Sequence, residues 1–278
     1  MADDSTSPTR TNVTLPDSLD QVRITRLPPS AYYISDFITQ EEEEAILDKV
    51  RAPPILRPIP LAAVGLTIAQ IASAPKPRWK QLTHRRLQTW PSDLVNNKLL
   101  DAPLPDWLHD PIVPRLESIR LSQKSDSFGI FSDSPHQKPN HVLINEYPPG
   151  IGIMPHKDGP AYHPVVVTIS LNASLCLNIY KSKEDGTLDP EPAWRILQEP
   201  RSLLITTSSL YTDFFHGIAD ITEDVELSNS TIANWDLLRS PDDFVDGRNT
   251  RKTRTSLTYR DVMKVSKLGG KLGLFQKK

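Results

Sequence analysis

The chain has 278 residues and a single cysteine, Cys176. One thiol cannot close an internal disulfide. It also excludes a four-cysteine zinc site and the zinc signature of the nucleobase deaminases. Long apolar runs are missing as well: no stretch reaches the ~18 residues of a membrane span. The N-terminal MADDSTSPTRTNVT has no apolar core of a secretory leader. Nor does one sign of charge dominate, because 32 Lys and Arg face 34 Asp and Glu, for a net charge of −2. No broad positive field is therefore available to hold nucleic acid, and any such contact must use a local patch. Together these absences describe a soluble, reduced, intracellular protein, expected in the nucleus and/or cytoplasm and without membrane contact.

Several catalytic signatures are absent too. There is no G-x-S-x-G nucleophile elbow. Gly150-Ile151-Gly152 lacks the rest of a dinucleotide loop, and no glycine loop leads into G-K-[ST]. Histidine combined with carboxylate remains as the source of chemistry.

What the chain does have is proline, 26 residues of 278, well above the usual ~5%. This composition suits a folded, loop-rich protein with few long helices. Residues 1–20, rich in Ser, Thr, Asp and Pro, read as a disordered tail. Ala31–Ser35 is a strand candidate. Thr39 and Glu42 form a capping box ahead of a helix over Gln40–Val50. A second helix is expected near Val113–Leu121. After Pro139 the texture becomes a series of short β-branched or aromatic runs: His141–Tyr147, Ile151–Met154, Val165–Leu171, Leu175–Tyr180, Trp194–Leu197, Leu203–Thr207 and Thr255–Tyr259. Many short strands with no helical pattern between them predict a sandwich or barrel. The polar, acidic stretch 217–250 interrupts the series and reads as a surface insertion.

Within this strand-rich half, His156-Lys157-Asp158 stands out. An H-x-D pair is weak alone, since with seven histidines in 278 residues one arises by chance about as often as not. On a strand or at its end, however, residues i and i+2 point the same way. Two such ligands plus a remote histidine make the 2-His-1-carboxylate facial triad, which holds Fe(II) and leaves positions open. Of the remaining histidines, only His216, in FFHGI, sits late among the strands. Arg254-Thr-Ser-Leu-Thr-Tyr-Arg260 would place Arg254, Ser256, Thr258 and Arg260 on one strand face. Two guanidiniums there suit a dicarboxylate.

Asn140-HVLINEYPPGIGIMPHKDGP, then FFHGI, then RTSLTYR resembles the AlkB family of Fe(II)/2-oxoglutarate dioxygenases. That family shows N-x-Y, nine residues from the Tyr to H-x-D, a distant His, and R-x5-R. PKPRWKQLTHRRLQTWP, LPDWL, TISL and EPRSLLI are most similar to the branch of AlkB homologue six.

The resemblance implies a mainly β chain with N-terminal α/β elements around a double-stranded β-helix, or jelly-roll, core. It implies Fe(II) on His156, Asp158 and His216, and 2-oxoglutarate contacts from Asn145 and Tyr147. Arg254 would grip the distal carboxylate, with Arg260 and Ser256 near the other end. The organisation expected is a helix and lid region over 21–138, a catalytic core over 139–262 and a basic tail over 263–278. An insertion near 53–74 has no counterpart in the resembling proteins.

The reaction implied is oxidative demethylation of nucleic acid by a monomer. Arg78, Trp79, Lys80, His84, Arg85, Arg86 and Trp90 would supply phosphate contacts and a stacking platform for a single-stranded or flipped base. The alternatives are a solvated basic strand above two core tryptophans, an oxygenase acting on protein, or a non-catalytic binding module.

Overall fold

A computed structural model describes residues 13–52, 79–124 and 126–266. The expected insertion near 53–74, Arg78 and the end of the basic tail lie outside the described residues. In chain order the strands are β1 (Ala31–Ile34), β2 (Lys80–Gln81), β3 (Arg86–Trp90), β4 (Leu99–Leu100), β5 (His141–Tyr147), β6 (Ile153–His156), β7 (Val165–Leu171), β8 (Leu175–Tyr180), β9 (Trp194–Gln198), β10 (Leu203–Thr207), β11 (Phe215–Ile218), β12 (Glu223–Asp224), β13 (Asn249–Thr250), β14 (Arg254–Arg260) and β15 (Val265–Ser266). The α-helices are α1 (Gln40–Arg51), α2 (Asp106–His109), α3 (Ile112–Ser118) and α4 (Ser208–Thr212).

Two antiparallel sheets face one another. The larger runs β1-β10-β7-β14-β5-β3-β2 and the smaller β6-β11-β8-β9. From β5 to β14 the chain alternates between them, apart from the β8–β9 hairpin and the short β12–β13 pair. This is the double-stranded β-helix form of a jelly roll. Period-2 alternation explains why the larger sheet serves two purposes. Val142, Ile144, Val167, Ile169, Leu171, Leu203, Ile205, Leu257 and Tyr259 point to one side and pack with Ile46, Leu47 and Val50 of α1 and Leu108, Ile112, Val113 and Leu116 of α2 and α3. Asn145, Tyr147, Thr168, Thr206, Arg254, Ser256, Thr258 and Arg260 point to the other side, into the space between the sheets.

The capping box closes as the sequence indicates: the Glu42 amide donates to Thr39 Oγ1, and the Thr39 amide donates to Glu42 Oε2. Four strand ranges also match the reading residue for residue: His141–Tyr147, Val165–Leu171, Leu175–Tyr180 and Leu203–Thr207.

Three expectations need correction. Ser18 and Leu19 are buried, and the Leu19 amide donates to the Arg120 carbonyl at 3.0 Å, so this part of the expected tail packs on the fold. The strand expected over Ile151–Met154 runs instead from Ile153 to His156. Its start is set by Gly152, where a Cβ would lie 2.0 Å from the Ile218 carbonyl oxygen, so only glycine allows β6 to approach β11 this closely. The acidic stretch 217–250 is not a surface appendage either. Its start belongs to β11, and Leu227, Ile232, Leu238 and Phe244 are buried with Ile179, Ile196 and Leu197 behind the smaller sheet.

Candidate metal centre and its cavity

His156 ends β6 and His216 lies in β11, where the register pairs them directly across the two strands. Their ring centroids are 4.4 Å apart. Asp158 follows two residues later, and ligand atoms of all three lie within 4.8 Å of one another. The sequence-based triad therefore converges, although its members are far apart in the chain. His156 Nδ1 meets the Met154 carbonyl at 2.9 Å. That contact places the proton on Nδ1 and leaves Nε2 as the free donor to a metal. Burial, opposed by the charge of Asp158, pushes His216 down to about 4, so its imidazole is neutral and ready to ligate at neutral pH.

Asp158 is held by Arg260, whose Nη2 donates to Oδ1 at 2.9 Å. Its second oxygen, Oδ2, is buried with no hydrogen-bond partner among the described residues. A buried carboxylate oxygen without a donor is costly unless something fills the role. Its position beside two imidazoles suits a divalent cation with nitrogen and oxygen ligands.

The centre opens into a cavity of about 170 Å³ between the sheets. Asn145, Tyr147, Arg254, Ser256 and Arg260 all line it, as do the three triad residues. Arg254 is 2% exposed. Its Nη2 donates to Ser170 Oγ at 2.7 Å and Gln198 Oε1 at 2.9 Å, both neutral acceptors. No carboxylate of the described residues pairs with it, and burial pulls it down to about 10. Burial raises Tyr147, while the charge of Arg254 opposes the rise. Asn145 Oδ1 is buried without a partner among the described residues.

Several contributors escaped the sequence reading. Thr168 and Ser170 are signalled by polar residues alternating with Val167, Ile169 and Leu171, but Gln198, at the end of an apolar strand, carries no such signal. Tyr211 lines the cavity from α4, and its hydroxyl donates to the Gly159 carbonyl at 2.9 Å, tying down the loop that bears Asp158.

The basic cluster is arranged differently from the expectation. Lys80 pairs with Asp93. Arg86 donates to both oxygens of Glu146, at 2.7 and 2.9 Å, and lies over the Trp79 ring. Trp90 meets Trp107 edge-on at 5.3 Å, and both Trp79 and Trp90 pack against the main core. Lys80 and Arg86 are thus internally neutralised, and the faces expected to stack on a base are partly taken. Among the described residues of this group, only Arg85 lines the cavity.

The sequence profile of the 2OG-Fe(II) oxygenase superfamily matches residues 30–260. The chain belongs to this superfamily. It is 35% identical over 254 residues to the Danio rerio protein named "Probable RNA/DNA demethylase ALKBH6", covering 89% of this chain and 92% of that one. It is 25% identical over 240 residues to "tRNA (carboxymethyluridine(34)-5-O)-methyltransferase alkbh8" of Xenopus tropicalis, matching 85% of this chain and 32% of that protein. A solved structure described as "The structure of OsALKBH1" covers 84% of this chain and is itself covered to 98%, at 13% identity and a TM-score of 0.47.

Membership makes the chain a dioxygenase using Fe(II) and 2-oxoglutarate, and the cavity fits both. Two imidazoles and a carboxylate with a spare buried oxygen suit the metal. A buried arginine with neutral partners only suits one end of a diacid.

Proposed function

We propose that the chain oxidatively demethylates nucleic-acid bases, taking them from single strands or flipped out of a duplex. The observation that carries this reading is the relative named as a probable RNA/DNA demethylase, matched over 92% of its length. In this reading His156, Asp158 and His216 hold Fe(II) and leave positions open toward the cavity. Arg254 takes the distal carboxylate of 2-oxoglutarate, and Tyr147 and Asn145 orient the diacid. Arg260 holds the Asp158 carboxylate at one oxygen and leaves the other for the metal, and Ser256 lies between the two arginines. Leu143, Val166, Leu204 and Leu210 give the cavity an apolar flank that limits water beside its polar groups. When bound, iron and 2-oxoglutarate supply the oxidation of a C–H bond by O2, with succinate and CO2 as co-products; a hydroxylated N-methyl group leaves as formaldehyde.

A net charge of −2 and the internal pairing of Lys80 and Arg86 support weak binding of nucleic acid with a shallow salt dependence. A base must leave the stack to reach a centre enclosed between two sheets.

The test is mass spectrometry of nucleosides from methylated single- and double-stranded oligonucleotides incubated with the protein, Fe(II) and 2-oxoglutarate. Loss of the methyl mark, faster from single strands and matched by formaldehyde, is the expected result. Succinate formation stimulated by a protein fraction, with no methyl loss from any oligonucleotide, would contradict the nucleic-acid reading and leave the dioxygenase intact.

A further inference from the structure

Among the described residues three arginines line the cavity and differ in their partners. Arg260 is bound to Asp158, and Arg254 to Ser170 and Gln198. Arg85 has no acidic partner among the described residues, and its Nε is buried with no acceptor. Arg85 lies just before β3, at the turn of the β2–β3 hairpin, where the Leu82 amide donates to the Arg85 carbonyl at 2.8 Å. Its hairpin neighbours Lys80 and Arg86 are already committed to Asp93 and Glu146.

Register fixes what Arg85 faces. Arg86 pairs with Glu146 across β3 and β5, which sets Arg85 opposite Tyr147. On its other side Tyr147 pairs with Arg254. Arg85, Tyr147 and Arg254 therefore form one cross-strand row, with an uncompensated guanidinium on each side of the phenol. The charge of Arg85 reaches the Tyr147 hydroxyl more strongly than that of Arg260. Two cations that lack an anion and flank one hydroxyl are complementary to a single carboxylate placed at that hydroxyl.

We propose that Arg85 is a second cation for the distal carboxylate of 2-oxoglutarate, closing on it across Tyr147 from Arg254, so that co-substrate binding fastens the β2–β3 hairpin over the cavity. Within the hairpin β3 is anchored on β5 and Lys80 on Asp93, and the outer strand is the lightly held part. β2 is two residues long, both exposed, and among the described residues its backbone pairs with Leu87 and Arg86. Fastening it orders the cavity mouth before substrate arrives. It also favours diacids over 2-oxo monoacids, which cannot reach the Arg85–Arg254 pair. This inference rests on the family's use of 2-oxoglutarate and does not depend on the nucleic-acid reading.

The experiment uses the protein loaded with Mn(II) under anaerobic conditions, where the co-substrate binds without turnover. Calorimetry measures the affinities for 2-oxoglutarate and 2-oxobutyrate, and hydrogen exchange reports on residues 80–87. Arg85→Ala should weaken 2-oxoglutarate by roughly 10- to 100-fold and leave the weaker 2-oxobutyrate affinity unchanged. Arg85→Lys should recover part of the loss. In the wild type 2-oxoglutarate should slow exchange across the hairpin, and in Arg85→Ala it should not. The unfolding midpoint without co-substrate should match the wild type, because Arg85 gives up no acidic partner among the described residues. Wild-type affinity and equal slowing in Arg85→Ala would overturn the proposal. So would a loss confined to oligonucleotide binding, which would assign Arg85 to a substrate phosphate instead.

Discussion

Arg251 and Arg254 lie three residues apart, and both are buried, at 5% and 2% exposure. Their surroundings differ in one respect. Arg251 donates to both oxygens of Asp224, at 3.0 and 2.7 Å, and to the Ala219 carbonyl at 2.7 Å. Asp224 is itself fully buried and also accepts from Asn249 Nδ2 at 3.0 Å. This is a completed ion pair that joins the two ends of the 217–250 segment, and Asp224 also accepts from the Cys176 amide of β8 at 3.4 Å. Arg254 has a hydroxyl and an amide oxygen but no anion among the described residues. One arginine is finished by the fold, whereas the other is complete only when a ligand supplies negative charge. The same contrast recurs in the hairpin, between Arg86 on Glu146 and Arg85.

Substitutions at the two positions should therefore separate stability from binding. Asp224→Ala strands a buried guanidinium and should cost about 3–5 kcal/mol of unfolding free energy, read by urea titration. Arg254→Met should leave the unfolding midpoint close to wild type and raise the Kd for 2-oxoglutarate by about 100-fold, at the lower end of the cost of stripping a buried carboxylate of its partner. If Arg254→Met destabilised the ligand-free protein as much as Asp224→Ala does, the contrast would collapse.

Arg260 sharpens the comparison, because its anion is the triad's own carboxylate. Arg260→Ala should weaken metal binding by about 10- to 100-fold, as loss of groups that orient metal ligands typically does. It should change the 2-oxoglutarate affinity less than Arg254→Met does. Metal titration followed by tryptophan fluorescence checks this.

The smallest effect concerns His141, which is buried and whose strand register pairs it with Arg260. Burial, followed by the charge of Arg260, lowers it from 6.5 to about 4. Between those values the unfolded chain takes up a proton that the folded chain refuses. This group's share of stability is therefore intact above pH 6.5 and falls as pH drops toward 4, by up to ~1.4 kcal/mol per unit. His141→Gln should flatten that slope in metal-free protein, measured by urea unfolding at pH 7.5, 6 and 5. An unchanged slope would show that His141 takes up its proton without opposing folding.

The alternating strands were legible because period-2 patterning is local, and H-x-D was legible because its two ligands are neighbours on one strand. His216 was singled out from its place late in the strand series, and the register sets it opposite His156. The partners that complete or withhold charge were not legible. Nothing in WRILQ marks Gln198 as a cavity residue, and nothing in the acidic stretch marks Asp224 as the one acid that is fully buried. Its polar composition also hid Leu227, Ile232, Leu238 and Phe244, which are too widely spaced to show a period. The bond from Arg260 to Asp158 was hidden for the same reason: its spacing from Arg254 suggests the two ends of a diacid and says nothing of a carboxylate partner within the triad. The basic cluster looked available because its acids, Asp93 and Glu146, are remote or on another strand.

The central claim is that the cavity between the sheets is a working Fe(II) and 2-oxoglutarate centre built on His156, Asp158 and His216. Succinate formation by the purified protein with Fe(II), 2-oxoglutarate and O2, without any other substrate, tests it most directly. The account predicts slow succinate formation that requires Fe(II) and is lost in His156→Ala, with at least ~100-fold weaker metal binding. Protein that binds Fe(II) and 2-oxoglutarate but forms no succinate, or whose succinate formation survives His156→Ala, would contradict it.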